Sequence, residues 1–217
     1  MFRTAVVTRG LLLGLAGMAP LCSWAICDGV PFHANHDGTF ESGYIWFCDG
    51  GDDGAFAEGF EGPARVCGVQ FHYCLSGVWV DTREVRVFVW DSEEGHPGTV
   101  LAMRSVLAED LQRCLDFGPP QEVELSADVG AEFFAGVCQC AVDFPLILGA
   151  DQDGPASGEQ SWFKCRPGLC EEPGWHRINE LFSGPSVHAL AIGVYLEPPQ
   201  VPTTTGTWGA IKGLFRR

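Results

Sequence analysis

The clearest structural signal in this chain is the stretch from Glu84 to Leu101, EVRVFVWDSEEGHPGTVL. Small and large side chains alternate in its first half: Val85, Val87 and Val89 against Arg86, Phe88 and Trp90. A period of two residues is typical of a β-strand. Residues 91–98 contain the Asp, Gly and Pro that set turn dihedrals, and a second extended run covers residues 99–107. The stretch therefore predicts an antiparallel strand pair.

The same pattern recurs along the chain. About nine or ten short strands are expected, separated by turn signals at regular intervals. The other runs are Phe56–Phe60, Ala64–Cys74, Glu122–Asp128, Glu132–Cys140, Phe144–Gly149, Ser161–Cys165 and Val187–Leu196. No useful helical periodicity precedes residue 198. We therefore predict an all-β fold, a two-sheet antiparallel jelly-roll-like β-sandwich stapled by disulfides.

The N-terminus has the composition of a secretory signal peptide. Arg3 and Arg9 precede an apolar run over residues 11–21, and Ser23-Trp24-Ala25 places small residues at the cleavage site. The run is shorter than the roughly 20 residues that cross a bilayer. We expect cleavage after residue 25, no transmembrane helix afterwards, and a secreted, extracellular or cell-surface protein.

The remaining chain divides by composition. Residues 26–54 form an irregular N-terminal segment, and residues 55–197 form the β-sandwich domain. Residues 198–206 are a Pro/Thr linker, a stiff and extended composition. In the tail, residues 207–217, Trp208, Ile211 and Phe215 would share one face of a short helix.

The charge balance limits the partners. Cleavage removes two arginines and no acid, which takes the formal charge from −15 to −17. Nucleic-acid binding requires a basic patch, so nucleic acid is excluded as a partner. Solubility, divalent cations and neutral partners fit an acidic chain better.

Nine cysteines remain after cleavage, and in an exported chain they indicate disulfides. No pair of C-x-x-C motifs supports a zinc site. Cys165 and Cys170 flank a short turn and are expected to pair, and Cys27 with Cys48 would tie the N-terminal segment. The odd number leaves one thiol free or bonded between molecules.

Acidic turns offer candidate calcium sites. Asp151 and Asp153, followed by Gly154, place two carboxylates on one side of a tight turn, and hard oxygen ligands suit Ca²⁺. Other candidates are Asp49, Asp52 and Asp53, and Asp91 with Glu93. The alternative is that Asp and Gly simply form turns, since the EF-hand spacing is absent. His33, His36 and Asp37 resemble a metal-ligand cluster, but without a predicted helix or a third His nearby they fit a polar surface loop better.

The central strand offers a candidate ligand surface. If the three valines face the core, Phe88 and Trp90 face outward beside Arg86. Exposed tryptophan beside polar groups suits stacking on a sugar ring or anchoring a protein. The alternative is that other segments cover this face, as large aromatic side chains are often buried.

Several scattered motifs resemble a widespread jelly-roll-like domain of secreted and surface proteins of bacteria. They are Val89-Trp90-Asp91, Gly95-His96-Pro97-Gly98, Phe133-Phe134-Ala135-Gly136-Val137, Asp151-Gln152-Asp153-Gly154, Ser161-Trp162, Gly174-Trp175 and Ala189-Leu190-Ala191-Ile192. The resemblance covers about residues 56–197, a one-domain length. The tail resembles C-terminal tails of exported bacterial proteins, of the form Trp-Gly-x-Ile-Lys-x-Leu-aromatic-Arg. This second resemblance implies that the tail is a sorting or anchoring segment.

These features leave three function classes. The first is a non-catalytic binding or adhesion module for a glycan or a protein, and the second is a structural surface component without a specific ligand. A glycan-active hydrolase is the third, because 28 acids could supply its two carboxylates. No nucleophile, base and orienting group form a motif. We therefore expect no enzymatic activity.

Overall fold

The computed structural model describes residues 27–44, 54–75, 84–107, 117, 119–139, 146–165, 167–168, 170–181 and 186–199. The predicted signal peptide, residues 200–206 of the linker and the tail lie outside the described residues. The strands are β1 (Phe32–Ala34), β2 (Ser42–Tyr44), β3 (Phe56–Glu61), β4 (Ala64–Phe71), β5 (Tyr73–Leu75), β6 (Glu84–Glu93), β7 (His96–Leu107), β8 (Gln121–Val129), β9 (Glu132–Gln139), β10 (Leu146–Asp151), β11 (Ser161–Cys165), β12 (Gly174–Arg177), β13 (Ala189–Leu190) and β14 (Ile192–Glu197). The one helix in these ranges, α1, covers Ile178–Leu181.

The strands form two antiparallel layers. One layer is a six-stranded sheet in the order β12-β11-β3-β9-β6-β7. The other combines a sheet in the order β1-β14-β4-β8 with a smaller sheet around β10. His72 and Ala191 join these two, because the His72 amide donates to Ala191 O and the Gly149 amide of β10 donates to His72 O, both at 3.0 Å. The predicted all-β sandwich is confirmed.

The core lies between the layers. Val66 and Val69 of β4 pack in one cluster with Val85, Val87 and Val89 of β6. Strand β8 shows the alternation most clearly, because every second side chain from Val123 to Val129 is buried and those between are exposed. Val123, Leu125, Ala127 and Val129 therefore form the inward face of β8, and burial of such apolar side chains stabilises the packing of the two layers.

The central hairpin is tighter than the sequence predicts. Instead of a loop over residues 91–98, β6 continues to Glu93 and β7 begins at His96. The two residues between them, Glu94 and Gly95, have φ angles of 53° and 82°. Two successive positive φ values match the type I′ turn, whose twist suits a hairpin. The Pro and Gly that suggested a loop instead lie in β7, beside irregular pairing with β6.

Disulfides join the N-terminal segment to the sandwich. Cys27 is bonded to Cys67 of β4, with a Cα–Cα distance of 5.9 Å, so the expected Cys27–Cys48 pair is wrong. The segment also contributes β1, which pairs with β14, and β2, which pairs with β10. The predicted Cys165–Cys170 bridge is confirmed, and Cys74 and Cys138 are also disulfide-bonded.

In the described part of the chain, no helix is long and apolar enough to span a membrane.

Candidate ligand-binding face

The outer face of the six-stranded sheet carries the predicted aromatic residues. The three valines of β6 face the core, so Phe88 and Trp90 point to the opposite side, as the alternation predicts. Their rings are buried, however, with 3% and 0% of their surface exposed. The expectation that Trp90 presents its ring to a ligand is therefore not met. Arg86 lies on the same face and is half-buried.

Trp90 is the centre of an aromatic cluster on this face. Its ring stacks on Phe88 with 5.0 Å between centroids, and Trp175 meets it edge-on at 5.3 Å. Gly136 of β9 leaves room for the indole, because a Cβ built there would come within 2.8 Å of Trp90 Cζ3. The buried rings therefore form a rigid base beneath Trp175.

Two tryptophans and two cations extend the cluster across β11 and β12. The register pairs Trp162 with Arg177 and Lys164 with Trp175. The Arg177 guanidinium lies 5.5 Å from the Trp162 ring centroid, and Lys164 Nζ lies 5.7 Å from that of Trp175. Both are within the range of a cation–π attraction. All four side chains are half-buried. We call these four residues the Trp–cation quartet.

Neighbouring rings hold the quartet in place. His96 and Phe134 approach Trp162 edge-on, with centroid distances of 6.2 and 6.3 Å. The Trp162 Nε1 donor is buried and has no hydrogen-bond partner among the described residues. Of the five Lys and Arg that the structure describes, three lie on this face. The outer face is therefore aromatic and cationic on a chain of net charge −15.

Only part of the quartet could be predicted from the sequence. Trp162 and Lys164 are two residues apart, as are Trp175 and Arg177, which places each pair on one face of its strand. Cross-strand pairing also requires the β11–β12 register, and the connection between these strands is too irregular to predict it. The predicted residues Phe88 and Trp90 prove to be the buried base of the same face.

The predicted calcium residues lie in a tight turn after β10. Asp151 is buried, and its Oδ1 accepts hydrogen bonds from the amides of Asp153 at 3.0 Å and Gly154 at 2.6 Å. Its Oδ2 accepts one from the Asp37 amide at 2.9 Å. Hydrogen bonds from three backbone amides are enough to stabilise this buried carboxylate without a metal ion. This is the alternative in which Asp and Gly simply form a turn.

The structure brings a third acid to this turn. Glu41, Asp151 and Asp153 each place a carboxylate oxygen within 4.8 Å of the others. Glu41 Oε2 also accepts a hydrogen bond from the Gln152 amide at 2.8 Å. Three carboxylates are the hard ligands that Ca²⁺ takes, although it requires six to eight oxygens. Calcium binding at Asp151 and Asp153 stays a prediction, now with Glu41 as a neighbour.

Among the described residues, the other metal candidates belong to no group of three or more potential ligands. Asp91 and Glu93 both lie against Gly98 of β7, and Asp49, Asp52 and Asp53 fall outside the described residues. Asp37 Oδ1 instead accepts hydrogen bonds from the Thr39 amide and hydroxyl. Burial and the neighbouring His72 lower the pKa of His36 to about 4, so its imidazole is neutral at physiological pH.

A buried carboxylate that the sequence did not reveal links the two layers. Glu58 of β3 is fully buried; its Oε2 accepts hydrogen bonds from the Ser161 hydroxyl at 2.7 Å and the Leu190 amide at 3.1 Å. Asn35 donates to Oε1 at 2.7 Å. Burial raises the pKa of Glu58 to about 7 despite these bonds. Its position between Phe56 and Phe60, both inward, was the available signal.

Two open grooves lie away from the quartet. One, of about 650 Å³, is lined by Phe40, Phe117, His72 and Ile147; the other, of about 660 Å³, runs beside Asn35 and Gln160.

When the chain is compared with known proteins, no family model matches it and no curated protein matches it. The function is therefore inferred from the sequence and geometry of this chain alone.

Proposed function

We propose that this protein is a secreted or cell-surface binding module without catalytic activity, and that its ligand is a glycan bearing acidic groups. The observation that carries the proposal is the Trp–cation quartet. Indole rings pack against the apolar faces of sugars, and a guanidinium that stacks on a ring still offers N–H donors to a carboxylate or sulfate. Because the chain has a net charge of −15, most of its surface would repel an anionic ligand, whereas this cationic face would attract it.

Disulfide bonding supports the proposed location. Such bonds persist in oxidising compartments and are rare in the cytosol, and six described cysteines are bonded. In the proposal, residues 1–25 direct export and residues 207–217 attach the protein to the cell surface. Deleting residues 207–217 should release the protein into the medium. Unchanged attachment would contradict the anchoring role.

A glycan array that contains matched neutral and acidic sugars tests the binding proposal. We expect the wild-type protein to bind acidic glycans, Trp175→Ala to abolish binding, and Arg177→Gln to weaken binding about tenfold, the loss typical of one charge-assisted contact. Phe32→Ala, an exposed aromatic on β1, and Arg65→Gln, an exposed cation on β4, are the controls.

The outcomes separate the function classes. Equal binding by the quartet variants and the controls would contradict the proposed face. Absence of glycan binding together with normal surface attachment would favour the structural component. Release of reducing sugar ends from a bound glycan would favour the hydrolase and contradict the non-catalytic proposal.

A further inference from the structure

The outer face of the six-stranded sheet also carries a pair of carboxylates. Side chains alternate between this face and the core, so Glu61 of β3 lies on the same side as Ala57. By the same alternation, Glu132 of β9 lies on the same side as Phe134. The register places Glu61 directly opposite Glu132. Glu61 is exposed, and Glu132 is half-buried and accepts a hydrogen bond from the Ser92 hydroxyl at 2.5 Å.

The carboxylate pair and the Trp–cation quartet are separated along the strands. Trp162 pairs with the residue of β3 that lies four positions before Glu61, which corresponds to about 13 Å along the strand. Arg177 pairs with Trp162, and Lys164 lies two residues farther from Glu61. A ligand longer than one sugar unit can therefore meet opposite charges at two places on this face.

An open groove leads from the quartet side of β11 to the carboxylate pair. It is the groove of about 660 Å³, and its lining includes Gln160, Glu61 and Glu132. The Gln160 carbonyl accepts a hydrogen bond from the Gly59 amide at 2.9 Å, which continues the pairing of β3 with β11. Gln160 is exposed and precedes Trp162 by two residues, so the two share one side of the strand. A chain-like ligand that leaves the quartet along β11 therefore enters the groove beside the two carboxylates.

We propose that Glu61 and Glu132 are specificity-determining residues, through which this face accepts a glycan with one acidic unit followed by neutral units and rejects a polyanion. The inference rests on the proposed function and names the class of glycan. An acidic unit at the quartet meets Arg177 and Lys164, whereas an acidic unit in the groove would meet two like charges. Like charges brought together suppress binding of the wrong partner. Neutral units can instead donate hydroxyl hydrogens to the two carboxylates.

Two kinds of oligosaccharide of equal length test the proposal. One carries a single uronic acid, at either end of a neutral chain, and the other consists of uronic acid alone. Titration calorimetry is done at pH 8 so that histidine is neutral, because His33 also lines the groove. The wild-type protein should bind the single-acid oligosaccharide at least about tenfold more tightly than the polyuronate.

Replacing both carboxylates should relax this preference. Glu61→Gln combined with Glu132→Gln should raise the affinity for the polyuronate about three- to tenfold, the effect of removing two partly exposed charges. The affinity for the single-acid oligosaccharide should not change, because the amides still form hydrogen bonds. That unchanged affinity also shows that the double variant is folded. The matched control is Glu124→Gln combined with Asp128→Asn, which removes the same charge from exposed residues of β8 in the other layer.

The outcomes separate this inference from the proposed function. An equal gain of polyuronate binding in the control would overturn the inference, because net charge alone would then explain the preference. Wild-type binding of the polyuronate as tight as that of the single-acid oligosaccharide would also overturn it. In both cases the proposed function stands if Trp175→Ala still abolishes binding of the single-acid oligosaccharide. Binding of neither oligosaccharide by the wild-type protein would contradict the proposed function, and this inference with it.

Discussion

At the scale of single residues, Glu58 connects proton binding to stability. Its carboxyl holds a proton in the folded protein up to about pH 7, whereas in the unfolded chain it loses that proton above its ordinary value of 4.5. The folded state therefore binds more protons between these pH values. It follows that the contribution of Glu58 to the free energy of unfolding falls as pH rises from about 4.5 to about 7.

We predict that Glu58→Gln removes this fall, which is up to about 3 kcal/mol. His36 acts in the opposite direction: its folded pKa of about 4 is below its ordinary 6.5, so its contribution is lost as pH falls from 6.5 to 4. In urea unfolding at several pH values, the wild-type profile should thus be nearly flat between pH 4.5 and 6.5, and that of Glu58→Gln should rise. Glu124→Gln, at an exposed acid of β8, is the control. Parallel profiles for Glu58→Gln and wild type would contradict the prediction.

At the scale of elements, the close packing of β9 against β3 and Trp90 makes a testable difference between two glycines. A methyl group at Gly136 would collide first with the carbonyl oxygen of Phe56, and it would also meet Trp90 Cζ3 at 2.8 Å and Ala57 Cα at 2.9 Å. Gly130, in the turn before β9, has nothing within 4 Å of the same position. An added methyl group would therefore overpack the site at Gly136, whereas it would meet open space at Gly130.

We predict that Gly136→Ala lowers the free energy of unfolding by about 1–3 kcal/mol, the usual cost of overpacking a close-packed core. Gly130→Ala should change it by less than about 0.5 kcal/mol, as at most surface positions. Chemical denaturation followed by tryptophan fluorescence measures both. If the two variants lose equal stability, the close approach of β3 and Trp90 is not what restricts residue 136 to glycine.

The turn after β10 provides the calcium test. If the ion binds Glu41, Asp151 and Asp153, millimolar Ca²⁺ should raise the melting temperature of the wild-type protein and not that of Asp153→Asn, because binding to the folded state alone stabilises it. Asp153 is exposed, so its replacement should leave the metal-free melting temperature unchanged. No shift in the wild-type protein would favour the turn alternative, in which backbone amides alone satisfy Asp151. An equal rise in both proteins would place the ion at another site.

At the scale of the whole molecule, strands could be predicted from the sequence, because neighbouring residues set them. Sites formed by distant segments of the chain could not. The strands β6, β7 and β8 follow from alternation and turn chemistry, which act over a few residues. Alternation with Phe56 and Phe60 indicates that Glu58 points inward, but its partners Asn35, Ser161 and Leu190 come from three distant parts of the chain. Glu41 and Asp151 are likewise far apart in the sequence and come together only in the folded chain. Pairing between distant segments sets these sites, and the alternation pattern carries no information about it.

The pairing of β1 with β14 also has a consequence for a shortened chain. The N-terminal segment covers the outer edge of β14 and is fastened to β4 by the bond between Cys27 and Cys67. Loss of residues 27–34 would therefore turn β14 into a six-residue sheet edge with unpaired backbone groups, a surface on which chains aggregate.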